Sequence, residues 1–181
     1  MRGKTSFFVT TIGQTALMSA TGIVLYLYVF SHLLGNLLIF LGRGQINADG
    51  ILLHSHPAML WMARSVLLIA VLIHIATGTR LWWLGRHTAR PVPYYRRKHV
   101  PPGYASRTMM RSGMVILIFV FFHILHLTTG SIGLPFHERD IYANVVAGFR
   151  IPWVSLGYII AMVFLGMHLY HGLWTIFRCS D

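Results

Sequence analysis

Residues 109–132 read MMRSGMVILIFVFFHILHLTTGSI, an apolar run of helical length interrupted by two histidines, His123 and His126. A bilayer's hydrocarbon core is about 30 Å thick, and roughly 20 helical residues at 1.5 Å each cross it. Three further stretches share this length and character, near residues 15–41, 58–84 and 152–177. All four are continuous instead of alternating over about ten residues, which predicts helices and not barrel strands. The composition agrees, since 55% of the 181 residues are hydrophobic and 10% are charged, against about 25% charged in an ordinary soluble domain. The expected fold is all-α: an integral membrane helical bundle of four transmembrane helices, one domain over residues 1–181 with short loops.

Turn chemistry marks the breaks. Gly42, Gly44, Asn47 and Gly50 predict a first loop, and Pro57 opens the second helix, where a missing amide hydrogen does no harm. Pro91, Pro93, Pro101 and Pro102 keep the second connection irregular, Pro135 closes the third helix, and Pro152 opens the fourth. A short interfacial helix is expected over 141–149. Eight of the fifteen Lys and Arg lie in and around the second connection, at Arg80, Arg86, Arg90, Arg96, Arg97, Lys98, Arg107 and Arg111. Short cytoplasmic loops are enriched in such residues, so this connection and both termini are expected on the cytoplasmic side. Tyr94 and Tyr95 sit beside the basic run, but its place between two spans points to topology and anionic lipid, not to nucleic acid. Arg2 and Lys4 precede an apolar run longer than a signal-peptide core, which predicts a retained first helix. The single cysteine, Cys179, excludes a disulfide framework, an iron–sulfur cluster and a zinc thiolate site within the chain.

Six histidines fall inside the spans: His32, His74, His123, His126, His168 and His171. An ionisable group in hydrocarbon is costly and is kept for a task facing the bundle interior. Every span carries at least one, and no acidic residue lies in any span to pair with them. Depth sorts them. His74 is ten residues before Leu84 and His168 nine before Phe177, which puts both roughly 15 Å from the cytoplasmic helix ends. His32 is seventeen residues past Thr15 and His123 fourteen past Met109, roughly 21 to 26 Å in. One histidine from each of two helices at each of two levels is what two haems need, an imidazole on either side of each iron. The pairs are His32 with His123 (outer) and His74 with His168 (inner). With both axial positions filled, electron transfer is the chemistry left. His126 and His171 each follow one of these by three residues on nearly the same face, so a one-turn shift of the ligand is open. Their other roles would be a hydrogen bond to a haem propionate or a part in quinone protonation.

The segments Ser31-His32-Leu33-Leu34-Gly35-Asn36-Leu37, Ile73-His74 with Gly78, Ser112-Gly113 through Phe122-His123, and Met167-His168 with Gly172-Leu173-Trp174 occur in order along nearly the whole chain. Together they resemble the cytochrome b membrane-anchor subunit of the succinate dehydrogenase and fumarate reductase family (succinate:quinone oxidoreductases), in its single-subunit, two-haem form. The resemblance implies axial ligands at His32, His74, His123 and His168. It also implies two b haems, a membrane quinone expected to be menaquinone, and a flavoprotein and an iron–sulfur subunit on the cytoplasmic face. The location implied is a prokaryotic cytoplasmic (inner) membrane, in the respiratory complex that joins the tricarboxylic acid cycle to the quinone pool. Two departures stand out. The family has five membrane helices and this chain four, so the fifth would be absent or come from another small membrane subunit. Where some members carry a membrane glutamate two residues before the fourth ligand, this chain has Gly166.

In two-haem members quinone is often handled near the outer haem, which directs attention to the first loop. His54 and His56 are candidates there, because imidazole side chains can exchange protons during quinone turnover; Asn36 and Arg43 are further candidates. Competing readings are the cytochrome b of a hydrogenase or formate dehydrogenase, and a haem-free membrane anchor whose histidines bond helices together. The first tends to carry two ligands far apart on one helix, whereas the same-helix pairs here are three apart.

Overall fold

The computed structural model describes residues 10–87 and 104–178. The prolines and tyrosines of the second connection, with Arg90, Arg96, Arg97 and Lys98, lie outside the described residues, as do Arg2, Lys4 and Cys179. Of the described residues 88% are helical and none is in a strand, which makes the architecture all-α. The helices are α1 (Thr11–Leu37), α2 (Arg43–Ser55), α3 (Pro57–His87), α4 (Tyr104–Leu127), α5 (Ile141–Phe149) and α6 (Pro152–Arg178), with a 3₁₀ turn at Leu38–Leu41.

Four of these are long and apolar enough to cross a membrane: Thr11–Leu41, Pro57–Gly85, Thr108–Leu127 and Pro152–Thr175. At most 17% of the most apolar part of any of them is buried within the chain, so Phe30, Leu33, Leu68, Ile118, Phe121 and Ile159 lie exposed on their outer faces. Water does not tolerate so much contiguous apolar surface, and lipid does. The chain is a multi-pass membrane protein. Its span hydroxyls are satisfied internally, as hydrocarbon requires: Thr21, Ser31, Thr77 and Thr79 each donate to the carbonyl four residues earlier.

Two helix pairs make up the bundle. α1 packs along α3 and α4 along α6, while α1 meets α6, and α3 meets α4, only sparsely. On α6, Val154, Tyr158 and Ala161 form one buried stripe at helical spacing.

Two local expectations need correction, and a third holds. The stretch after Gly42 is not a loop. It is the helix α2, whose Ile46 and Gly50 are buried, and Gly50 is small because the Ile141 side chain of α5 lies against it. The third span ends at Leu127 and not at Ile132. There the amides of Thr129 and Ser131 turn back to the carbonyls of Ile124 and Leu125, with Gly130 at φ 63°, a conformation glycine adopts without steric cost. The expected short helix over 141–149 is present as α5.

α2 and α5 lie together across one end of the bundle. Asp140 fastens them: it caps α5 by accepting from the Ala143 amide at 3.1 Å, accepts from the Asn47 side chain at 2.9 Å and pairs with Arg43. Asn47 also accepts from the Tyr142 amide at 3.1 Å. The Asn47 amide first, then the Ala143 N–H and Arg43, hold the Asp140 carboxyl below the usual carboxylate range. A carboxyl lowered on folding contributes stability that is complete above its unfolded pKa of about 3.9 and is lost as pH falls through the folded value. Amide-exchange protection of α5, corrected for intrinsic rates, should therefore persist at neutral pH and drop below about pH 4. In Asp140→Asn it should start lower and lose that acid step; an unchanged step in the variant would contradict this role.

Candidate functional site

The four histidines that depth reading set apart come from four different helices, and all reach across the sparse seam between the two helix pairs. His32 on α1 faces His123 on α4 with ring centroids 5.8 Å apart and planes at 90°. His74 on α3 faces His168 on α6 at 6.3 Å and 66°. Two imidazoles bound to opposite sides of one metal ion, each at the roughly 2 Å of a histidine nitrogen–metal bond, hold their centroids about 6 Å apart. The spacing fits a bis-histidine centre at each level. Among the described residues no three His, Cys, Asp or Glu side chains gather as a zinc or carboxylate-bridged site needs.

Hydrogen bonding fixes which nitrogen is free. His74 Nδ1 lies 3.3 Å from the Met18 carbonyl and 3.3 Å from Thr21 Oγ1. A carbonyl can only accept, and the Thr21 hydrogen has the Leu17 carbonyl at 2.8 Å to donate to, so Nδ1 carries the proton and Nε2 keeps its lone pair. His168 repeats the arrangement. Its Nδ1 is 3.0 Å from Ser112 Oγ, and Ser112 donates to the Met109 carbonyl at 3.0 Å, leaving its oxygen to accept. Each ring is thus tethered through Nδ1 within its own helix pair, as metal-ligating histidines usually are. Glycine makes room behind them: a Cβ on Gly22 would sit 3.4 Å from His74 Cε1, and one on Gly113 3.5 Å from His168 Cε1. An alanine would just touch, and a longer side chain would displace the ring.

The other pair is held differently. His123 Nδ1 lies 3.2 Å from the Tyr158 hydroxyl, whereas His32 stacks on Tyr28 at 5.5 Å. The two levels are well separated. His74 rests against Gly22 and His168 against Gly113, and His32 and His123 each follow that glycine by ten residues, about 15 Å of helix.

His126 faces away from the His32–His123 contact. It is 1% exposed, turned toward α5 and α6, with Nδ1 3.1 Å from the Tyr158 hydroxyl. His171, half-buried, contacts Tyr170. Of the quinone-site candidates, His54 points Nδ1 at the Gly50 carbonyl, 2.8 Å away, and His56 joins α2 to α3 in a shallow depression shared with Ser55, Pro57 and Met59. Asn36 donates to the His32 carbonyl at 2.7 Å. Arg43 is committed to Asp140, a fastening role.

Sequence reasoning passed over Tyr158 and Arg64. Arg64 lies within the second span, its guanidinium 5.2 Å from the Trp61 ring centroid. Ten residues before His74, it stands about 15 Å toward the α2 end, level with His32 and His123. A cation within an apolar stretch is itself a signal, and its charge suits a carboxylate-bearing group at that level. Neither a protein-family model, nor a curated protein, nor a solved structure matches this chain.

Gly148 of α5 is the tightest approach around the histidines, since a Cβ there would sit 2.5 Å from both Cε1 and Nε2 of His126. Gly148→Ala should lower the thermal unfolding midpoint in detergent, at a cost of about 1–3 kcal/mol for overpacking. Gly157→Ala, with nothing within 4 Å of the added methyl, should leave it unchanged. Equal midpoints for the two variants would contradict a fixed His126.

Proposed function

We propose that this chain is a membrane cytochrome b, the haem-bearing anchor subunit of a succinate dehydrogenase or fumarate reductase, which passes electrons between an iron–sulfur partner and membrane quinone. The observation that carries the reading is the meeting of His32 with His123, and of His74 with His168, at 5.8 and 6.3 Å across one seam. A haem iron with imidazole on both axial positions supplies one-electron transfer and offers no vacancy to substrate. This chain's residues would hold two such irons. The His74 and His168 rings are set by Met18, Thr21 and Ser112 so that both Nε2 atoms are free, and the spacing of about 15 Å stacks the two sites along the membrane normal.

The family assignment is supported by the ordered segments around these histidines. In that reading the second connection, with its cluster of Arg and Lys, faces the cytoplasm of a prokaryotic cell and receives the iron–sulfur subunit, on which the flavoprotein carries out dicarboxylate chemistry. The α2 and α5 end faces outward. Quinone, of the menaquinone kind, would exchange electrons near the His32–His123 level, with His54 and His56 placed to exchange protons.

The pairing makes a specific spectroscopic prediction for the purified chain. His74→Ala and His168→Ala should each remove the same b haem, His32→Ala and His123→Ala should each remove the other, and His126→Ala or His171→Ala should retain both. Reduced-minus-oxidised difference spectra and pyridine haemochrome content check this. Loss of one and the same haem from His74→Ala and His123→Ala would refute the pairing, and no b-type absorbance in the unaltered protein would leave a haem-free anchor.

A further inference from the structure

Tyr158 has one hydroxyl and two histidine nitrogens beside it: His123 Nδ1 at 3.2 Å and His126 Nδ1 at 3.1 Å. A hydroxyl donates one hydrogen and accepts through its lone pairs, so it cannot donate to both. If His123 gives Nε2 to an iron, its Nδ1 must carry the proton and donate to the Tyr158 oxygen. The Tyr158 hydrogen then goes to His126 Nδ1, which places the His126 proton on Nε2. That nitrogen is buried and has no partner among the described residues, and the ring edge bearing it lies over Gly148.

The surroundings keep this chain of bonds in one direction. Phe149 and Phe119 pack on the Tyr158 ring at 4.7 and 4.9 Å, and Phe122 lies 5.6 Å from His126. Among the described residues, the Tyr158 hydroxyl is the polar group that meets both histidine rings. An unpartnered buried imidazole nitrogen is costly. A helix-packing histidine at this place could be an apolar residue at lower cost, which suggests that His126 is retained for what its Nδ1 does to Tyr158.

We propose that Tyr158 is the positioning residue for His123, and that His126 orients Tyr158, so that a relay from His126 of α4 through Tyr158 of α6 and back to His123 of α4 sets the electronic character of the outer centre. The proposal rests on the two-haem reading. A hydrogen bond accepted from Nδ1–H makes the imidazole a more basic ligand, and donation from Tyr158 onward to His126 makes its oxygen a better acceptor. A more basic ligand favours the oxidised iron. The partners at His74 and His168 are on other residues, so the inner centre is untouched.

Redox titration of the purified full-length chain, with the His74→Ala variant used to isolate the outer centre's signal, tests this. Tyr158→Phe keeps the ring and removes the acceptor. It should retain two haems and raise the outer midpoint potential by a tenfold change in its oxidised-to-reduced ratio, about 59 mV for one electron. His126→Leu should give a smaller shift in the same direction, and adding it to Tyr158→Phe should change nothing further, because it acts through the hydroxyl. Two haems with an unshifted outer potential in both single variants would overturn the relay while leaving the two-haem reading intact. A shift of equal size at both centres would also overturn it, and an unaltered chain without haem would overturn both.

Discussion

An imidazole inside a membrane has two ring nitrogens and little around it to satisfy them, and much of this structure follows from how that is resolved. Water is absent, no carboxylate lies in any span, and an unpaired polar atom in hydrocarbon costs several kcal/mol. At His74, His168 and His123 one nitrogen is met by a hydroxyl or carbonyl from the helix packed beside it. The other edge turns toward a histidine across the seam. Gly22 and Gly113 are small because a ring rests on each. The hydroxyls of Thr21 and Ser112 accept because their own hydrogens are spent on the preceding turn. The division into two tight helix pairs with a sparse seam between them is the same constraint at the scale of the bundle, since the seam is where the imidazole edges meet.

The two levels are not equivalent in how their rings are held. At the His74–His168 level both rings are tethered by groups within the spans. At the His32–His123 level one ring is tethered through Tyr158, the other only stacks on Tyr28, and Arg64 adds a positive charge nearby. This second level lies under the platform of α2 and α5, which Asp140 holds together. In the proposed function, a cover over one centre that carries His54 and His56 would suit an end where electrons leave or enter together with protons, and the opposite end would receive the protein partner.

Much of this was legible in the sequence because helix rise is fixed by backbone geometry. Counting residues from the span ends was enough to set His32 level with His123 and His74 level with His168, and the rings of each pair are neighbours in space. What escaped is long-range. Gly44, Asn47 and Gly50 are turn formers by local preference, yet they sit in α2, where Asn47 answers Asp140 and Tyr142 more than ninety residues away and Gly50 admits Ile141. Arg43 stands beside the outer level in sequence, which made it a candidate for quinone, and its ion pair with Asp140 has no local signature. Tyr158 has no local signature that sets it apart within the fourth span. Its hydroxyl acquires meaning only once α4 is packed against it and His123 and His126 appear on either side. The place of His126 comes from packing in the same way, since it lies buried against Gly148 while His123 faces His32.

The central claim is that each chain carries two irons held by paired histidines. Electron paramagnetic resonance of the oxidised, purified protein, with haem and protein quantified on the same sample, tests it most directly. The account predicts two b haems per chain, both low-spin, with the highly anisotropic signals of bis-imidazole ligation. A ratio of one or none, or a high-spin signal accounting for either haem, would contradict it.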